Sequence, residues 1–340
     1  MTGVPVIVAE VSANHLGSLK RALELISAVA ESGVTYVKFQ TYTADTMTID
    51  FDGPGFRIGD SHELWGGRSL YSLYQEAHTP WEWHAELFAE SRRLGLVPFS
   101  SPFDATAVDF LETLDPKLYK VASMEIGDVP LIRRIAQTGR PMVISTGAST
   151  LSEVDDAVSA AQGGGCDDIT LLLCTSSYPA EASDAHLARI TTLRERYGLP
   201  VGLSDHTKGN VVSIAATALG AVMIERHVTL NRAEGGPDAA FSLEPDELTC
   251  LVADLAACHA AVGDASWISI DAEKTSSQLK RSIYITADCS AGEVLSESNV
   301  RCIRPSGGLA PKYYDDVLGR RLKKVATRGT PLSLDMLESE

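Results

Sequence analysis

The sequence predicts an α/β fold, a (β/α)8 TIM barrel followed by a small second domain. Three observations predict it. Short apolar runs rich in Val, Ile and Leu recur eight times. Amphipathic segments alternate with them over about 260 residues, the size of such a barrel. After residue 264 the pattern changes to short strands and glycine turns. The other arrangement open to alternating elements is a doubly wound sheet, but the first strand–helix turn carries no GxGxxG.

The strand runs are "VPVIVAEVS" (4–12), "YVKFQTY" (36–42), "LVPFSSP" (96–102) and "LYKVAS" (118–123). Then come "PMVISTG" (141–147), "ITLLLCTS" (169–176), "PVGLSDH" (200–206) and "VMIERHVT" (222–229). Each is too short for a helix, and its β-branched content suits a strand buried on both faces. Among the intervening helices, 18–33 places Leu19, Leu23, Ile26 and Val29 on one face and stops at Gly33. The segment 79–95 begins with Thr79 as N-cap and Pro80 at the first helical position. Segments 149–165 and 244–263 read the same way.

The insert after the second strand, 43–78, is long and aromatic. Loops of that length are commonly functional or disordered. Trp65, Tyr71 and Tyr74 fit an ordered lid over the barrel mouth, or plain packing. The expected domains are a barrel over 1–263, a polar linker over 264–278 and a small domain over 279–340.

Composition narrows the function. The chain has 340 residues, 44% of them hydrophobic and 22% charged, as in ordinary soluble proteins. A net charge of −16 argues against nucleic acid, which needs a clustered basic surface. No run reaches the length of a membrane span, and the N-terminus lacks the basic region of a secretion signal. The six cysteines form no CxxC pair and no zinc spacing; Cys174, Cys250 and Cys258 fall in strand or helix patterns as core thiols. A reduced, cytoplasmic protein is the expectation.

Catalytic groups of barrel enzymes sit where strands end. Here the ends carry Glu10, Asn14 and His15; Lys38 and Gln40; Ser100 and Ser101; and Lys120, Ser123 and Glu125. The other four carry Ser145 and Thr146; Thr175, Ser176 and Tyr178; Ser204, Asp205 and His206; and Glu225, Arg226 and His227. Lys38 and Lys120 at the ends of apolar strands would be costly to bury without an anion. With the nearby hydroxyls they point to a phosphate or carboxylate ligand. His206 and His227 end adjacent strands, and two neutral imidazoles in one mouth suit a divalent metal, with Glu10 and Asp238 within reach. The alternatives are structural histidines and a plain Glu10–Lys38 salt bridge.

Taken together, "AEVSANHLGSL", "VKFQTYTADTM", "FSSPFD", "YKVAS", "ISTGAS", "CTSSYP", "GLSDHT" and "IERHVT" resemble the nonulosonate (sialic acid) synthases. The resemblance covers nearly the whole chain. The tail looks like that family's antifreeze-like (SAF) domain, with "IRPSGGL" matching its signature. Within the family, "SANHLGS" and "LWGGRSLY" look closest to the pseudaminic acid synthase branch, with N-acetylneuraminate and legionaminate synthases as the alternatives.

The resemblance implies a condensation of phosphoenolpyruvate with an acetamido-deoxyhexose, best matched by 2,4-diacetamido-2,4,6-trideoxy-L-altrose, with release of phosphate. By motif position, Lys38, Ser101, Lys120, Ser123, Ser145 and Ser204 should hold phosphoenolpyruvate. His206 and His227 should bind a divalent ion, usually manganese in this family, with magnesium or cobalt as substitutes. Glu10 matches a glutamate credited with proton handling or water positioning; Gln40, Tyr178 and Asp238 should face the sugar, and Glu125 joins them from the fourth strand end. Arg304 matches an arginine that reaches the partner subunit's site, which implies a domain-swapped homodimer. Ser176 joins the substrate-binding set, at a position where the sialate branch has asparagine, which leaves its contact with phosphate open. The rival classes are another phosphoenolpyruvate-using barrel enzyme, a non-catalytic binder of sugar or ice, and a barrel kept as a structural partner. The tail's charges, and the absence of a flat threonine array, speak against an ice binder.

Overall fold

The computed structural model describes residues 3–59, 66–268 and 270–338. Trp65 lies outside them. The chain divides into two compact units, Met1–Asp264 and Ala265–Glu340.

The first unit is a closed barrel of eight parallel strands in chain order. They are β1 (Val6–Glu10), β2 (Tyr36–Thr41), β3 (Val97–Pro102), β4 (Tyr119–Val121), β5 (Met142–Ser145), β6 (Ile169–Cys174), β7 (Val201–Asp205) and β8 (Met223–His227). Each falls within its expected run. Closure between β1 and β8 sets Glu10 opposite Lys38 on one side and His227 on the other. Strand geometry thereby brings three charged or titratable groups, distant in sequence, to one rim.

Helices cover the outside. The first is α1 (Leu19–Glu31), capped by Ser18, whose side chain accepts from Arg21 N. It buries Ala22, Leu25, Ile26 and Val29, while Leu19 and Leu23 are only partly covered. The insert holds the short α2 (Ala44–Met47) and α3 (Leu70–Ala77). Next comes α4 (Trp81–Arg93), where one expectation fails: the capping position is Pro80, not Thr79. Thr79 is buried and spends its hydroxyl on His15 Nε2 at 3.2 Å instead. Then follow α5 (Ala105–Glu112), α6 (Val129–Ala136), α7 (Leu151–Gly163), α8 (Arg189–Tyr197), α9 (Val211–Ala218) and α10 (Pro245–Val262). Reciprocal capping boxes open α7 (Thr150 with Glu153) and α10 (Glu244 with Glu247).

Apolar residues form two layers. One lies between strands and helices; the other, Val8, Phe99, Leu118, Val143, Leu172 and Met223, fills the barrel interior. Gly202 is needed there, since a Cβ would sit 2.4 Å from Met223 O and 2.7 Å from Leu172 Cδ2. Truncating Phe99 to Ala in that filled space costs about 3–5 kcal/mol. Among the cysteines, Cys166, Cys174 and Cys289 are buried, but Cys250 is exposed. Its place on α10 faces solvent, so it is not the core thiol expected of it.

The second unit has an antiparallel pair, β9 (Ser282–Ile285) and β10 (Val300–Ile303), and two single-turn helices, α11 (Lys274–Ser277) and α12 (Tyr314–Val317). Its own core includes Ile283, Leu295, Val300, Leu322 and Leu332. Gly308 is obligatory, because a Cβ would sit 2.2 Å from Ile283 O. No helix among the described residues is long and apolar enough to cross a membrane.

Candidate active site

The C-terminal ends of the strands surround a cavity of about 430 Å³. Lys38, Gln40, Lys120, Ser123, Glu125 and Ser145 line it, as do Tyr178, Ser204, His206, His227 and Asp238. Glu10 and Ser101 are fully buried behind Lys38, whose Nζ lies 2.5 Å from Glu10 Oε2 and 3.4 Å from Ser101 Oγ. The Glu10–Lys38 salt bridge foreseen as an alternative is therefore present.

Side chains alternate along a strand, and this alternation sorts the polar strand ends. Ser204 and Glu225 point inward. Asp205 and Arg226, one residue on, point outward and pair with each other at 2.7 Å. Ser100 likewise turns outward to Thr41, and Asn14 is spent on Val228 O and Ser242 Oγ at 2.8 Å each. His15 holds Thr79, and Thr146 donates to Leu172 O. These residues belong to the frame.

Glu225, to which the sequence assigns no role, is the electrostatic centre. Its Oε1 lies 3.4 Å from Lys120 Nζ and accepts from Ser204 Oγ at 2.9 Å, while its Oε2 lies 3.7 Å from Lys38 Nζ. Burial alone would raise its carboxyl, but Lys120 and Lys38 outweigh that and hold it well below the usual range. Burial would lower Lys38, and Glu10 and Glu225 reverse this, keeping it protonated. Burial pushes Glu10 up against the pull of Lys38. Its 2.5 Å contact is that of an ion pair, which leaves the proton on lysine. Lys120 is lowered by burial, which Glu225 only partly offsets. Glu225 sits two residues before His227 on the same face of β8, and that spacing is the signal that could have found it.

His206 and His227 stand with ring centroids 5.2 Å apart, and both pack against Phe241. His206 Nδ1 lies 3.0 Å from Thr175 O; a carbonyl only accepts, so Nδ1 carries the proton and Nε2 is left as a donor of its lone pair. Burial would lower His206, but its contacts with Cys174 and Thr175 raise it, so a cation at Nε2 would compete with a second proton there. His227 is driven well below its ordinary value by burial, then by His206 and Lys38, and its Nδ1 is buried without a hydrogen-bond partner. The nearest carboxylate, Asp238 Oδ2, is 4.0 Å away. An orphaned neutral imidazole beside a second imidazole fits a divalent cation. No three of His, Cys, Asp and Glu converge as a ready-made metal centre among the described residues, so further ligands would come from water or substrate.

Other unpartnered atoms face the cavity. Ser145 Oγ and Glu125 Oε2 are buried with no hydrogen bond. Burial raises the Glu125 carboxyl to about 7, partly opposed by Lys120. Gly147 N donates to Ser123 Oγ, and a Cβ at 147 would sit 2.1 Å from Ser176 Oγ and 2.7 Å from Ser123 Oγ. Ser176 thus lies beside Gly147, off the cavity lining, and is 3.8 Å from Cys174 Sγ. Asp238 accepts from Ser12 Oγ at 2.5 Å, and Gln40 Nε2 donates to Glu10 and Ser12 at 3.0 Å each. Arg304, in the second unit, is exposed and makes no ion pair among the described residues. Sequence reading missed the apolar lining, among it Tyr42, Met47, Ile58, Leu70 and Leu73; such residues carry no chemical signature.

The chain matches the NeuB family over residues 25–266 and the SAF domain over residues 280–338. It is 42% identical to the pseudaminic acid synthase of Helicobacter pylori, over 98% of each chain. It is 33% identical to the N,N'-diacetyllegionaminic acid synthase of Campylobacter jejuni, over 95% of this chain and 96% of that one. Among solved structures, the putative spore coat polysaccharide biosynthesis protein E of Chromobacterium violaceum superposes with a TM-score of 0.75 at 28% identity, covering 98% of this chain and 100% of that one.

Proposed function

The chain belongs to the NeuB family, and on that premise we propose that it condenses phosphoenolpyruvate with 2,4-diacetamido-2,4,6-trideoxy-L-altrose to give pseudaminic acid and phosphate. The higher identity to a pseudaminic than to a legionaminic acid synthase supports this sugar. The observation that carries the reaction class is the pair of buried ammonium groups, Lys38 and Lys120, lining one cavity with the unpartnered Ser145 hydroxyl. Such a site is built for an anion with several oxygens.

In the reaction, C3 of phosphoenolpyruvate bonds to the aldehyde carbon of the open-chain sugar, whose oxygen takes up a proton. Water adds at C2, the bond from C2 to the phosphate oxygen breaks, and the 2-keto acid remains. Lys38 and Lys120 stabilise the phosphate and carboxylate charge, with Ser123, Ser145 and Ser204 adding hydrogen bonds. Gln40, Tyr178, Asp238 and Glu125 orient the sugar, and Glu10, held by Lys38 and Gln40, steers the water. A divalent ion held by His206 and His227, manganese in our proposal, supplies Lewis-acid polarisation of the aldehyde oxygen when bound.

We extend the proposal to a homodimer in which Arg304 acts on the partner's cavity. Its support is the family resemblance of "IRPSGGL" together with the exposure of Arg304. The primary test supplies phosphoenolpyruvate, manganese and a panel of 2-acetamido and 2,4-diacetamido hexoses and reads phosphate release. Faster turnover of N-acetylmannosamine than of the 2,4-diacetamido sugar would move the chain to the sialate branch.

A further inference from the structure

The cavity has two unlike sides. The strand ends line it with charges and hydroxyls, but the described residues contributed by 42–77 are apolar or aromatic: Tyr42, Met47, Ile58, Leu70, Leu73, Tyr74 and Ala77, with phenol hydroxyls on the two tyrosines alone. That segment is otherwise rich in charge, with Asp45, Asp50, Asp52, Arg57, Arg68 and Glu76. None of these charges lines the cavity. Ile58 and Leu70 are half-buried and take no part in the hydrophobic core clusters, so packing does not demand their apolar character. A contiguous apolar patch that no core requires marks a surface meant for contact.

The patch is also held in place. Ile58 N donates to Arg68 O at 2.9 Å, Gly67 N to Ile58 O at 3.1 Å and Leu70 N to Phe56 O at 2.9 Å. The Ser69 side chain caps α3. Tyr42 packs edge-on against both Tyr74 and Phe103, at 5.9 and 5.2 Å. A fixed wall of this kind discriminates by shape and polarity without having to order first.

We infer that Ile58 and Leu70 are specificity-determining residues that receive the carbon-6 end of the sugar and select a methyl over a hydroxymethyl group there. The inference rests on the proposed reaction. The aldehyde carbon must meet phosphoenolpyruvate at the strand ends, beside Lys38, Lys120 and the imidazoles. Carbon 6 is the farthest from it, and the chain therefore runs outward to the segment between β2 and α4. A hydroxyl delivered against Ile58 and Leu70 meets no polar atom on either side chain, whereas a methyl is buried favourably there.

The test uses two 2,4-diacetamido sugars identical except at carbon 6, one with methyl and one with hydroxymethyl, and compares kcat/KM by phosphate release. The wild-type protein should favour the 6-deoxy sugar by about a hundredfold, the scale on which an apolar pocket rejects an added hydroxyl. Ile58→Asn and Leu70→Asn should each lower that ratio to about tenfold or less, mainly by raising kcat/KM for the hydroxymethyl sugar. The two positions are independent of the core, so a folding defect in one leaves the other to decide. An unchanged ratio, or an equal loss on both sugars, overturns the inference and leaves the proposed reaction intact. Failure of the wild-type protein to turn over either sugar overturns the proposed reaction itself, and this inference with it.

Discussion

Asp205 and Arg226 lie opposite each other on β7 and β8, both side chains with no exposure, joined at 2.7 Å behind the barrel wall. Arg226 also donates to Gly209 O at 2.9 Å and Thr207 O at 2.7 Å, and Asp205 accepts from Thr207 N and from the Thr207 and Ser213 hydroxyls. The pair keys together the two strands that carry His206 and His227. Arg226→Met should destabilise the protein by about 3–5 kcal/mol, because it strands a buried carboxylate. The double variant Asp205→Leu, Arg226→Met should recover much of this. Denaturant unfolding measures both, and a loss under about 1 kcal/mol in the single variant contradicts the pairing.

Removing His227 should abolish manganese binding while leaving the fold, since the ring lines the cavity and its Nδ1 has no hydrogen-bond partner among the described residues. Manganese paramagnetic resonance on chelator-treated His227→Ala protein reads this without turnover. Retained stoichiometric binding would remove His227 from the metal site.

Lys120→Ala should weaken phosphoenolpyruvate binding by about 2–5 kcal/mol, the range for truncating one partner of a buried charge pair. Glu225 would then keep only Lys38 as a cation, at 3.7 Å, and would repel the incoming anion more strongly. Wild-type affinity by calorimetry would take Lys120 out of the anion site.

Glu125 links folding to pH. Its carboxyl rises from the ordinary 4.5 to about 7, chiefly through burial. The folded state therefore holds a proton that the unfolded state has released, so the stabilisation is complete below about pH 4.5. It fades as pH rises through about 7, by at most about 1.36 kcal/mol per pH unit. Glu125→Gln should lack this decline. Urea unfolding at pH 5 and pH 8 should show the variant gaining on wild type at the higher pH; parallel curves would place Glu125 in water.

Arg304 is tested by complementation. Inactive Arg304→Ala and inactive Lys120→Ala proteins, mixed under conditions that allow subunit exchange, should regain about a quarter of wild-type activity if the arginine acts on the partner's cavity. A silent mixture with demonstrated exchange would mean that it acts within its own chain or has no role.

Much of the fold was legible in the sequence, because eight doubly buried strands leave eight apolar runs that polar helix faces cannot mimic. The anion side of the cavity was legible for a related reason: Lys38 and Lys120 interrupt such runs, and a lysine there demands an explanation. The phase of each strand end was not. Ser204, Asp205 and His206 are all polar, and only the pairing with β8 shows that the middle one turns away. Glu225 was hidden among polar neighbours for the same reason. The apolar wall was hidden because Ile58 and Leu70 read like packing wherever the chain has not yet been folded. Thr79 shows the limit of capping rules, since a good N-cap residue was claimed by a tertiary contact with His15.

The closure of the barrel also sets an order in time. β1 leaves the ribosome first, yet one of its two neighbours is β8, so Glu10 stays without His227 beside it until nearly the whole first unit has been made. Pairing between distant segments is slow, and a nascent barrel meanwhile offers two open edges to other chains. The strands carrying Lys38 and Lys120 can align early, and Glu10 on β1 is there to pair with Lys38, but Glu225, the carboxylate beside Lys120, arrives only with the last strand. Until then Lys120 lacks its Glu225 partner, and the open edges keep the unfinished barrel sticky. Chains truncated before residue 223 should consequently collect in chaperone-bound or aggregated form.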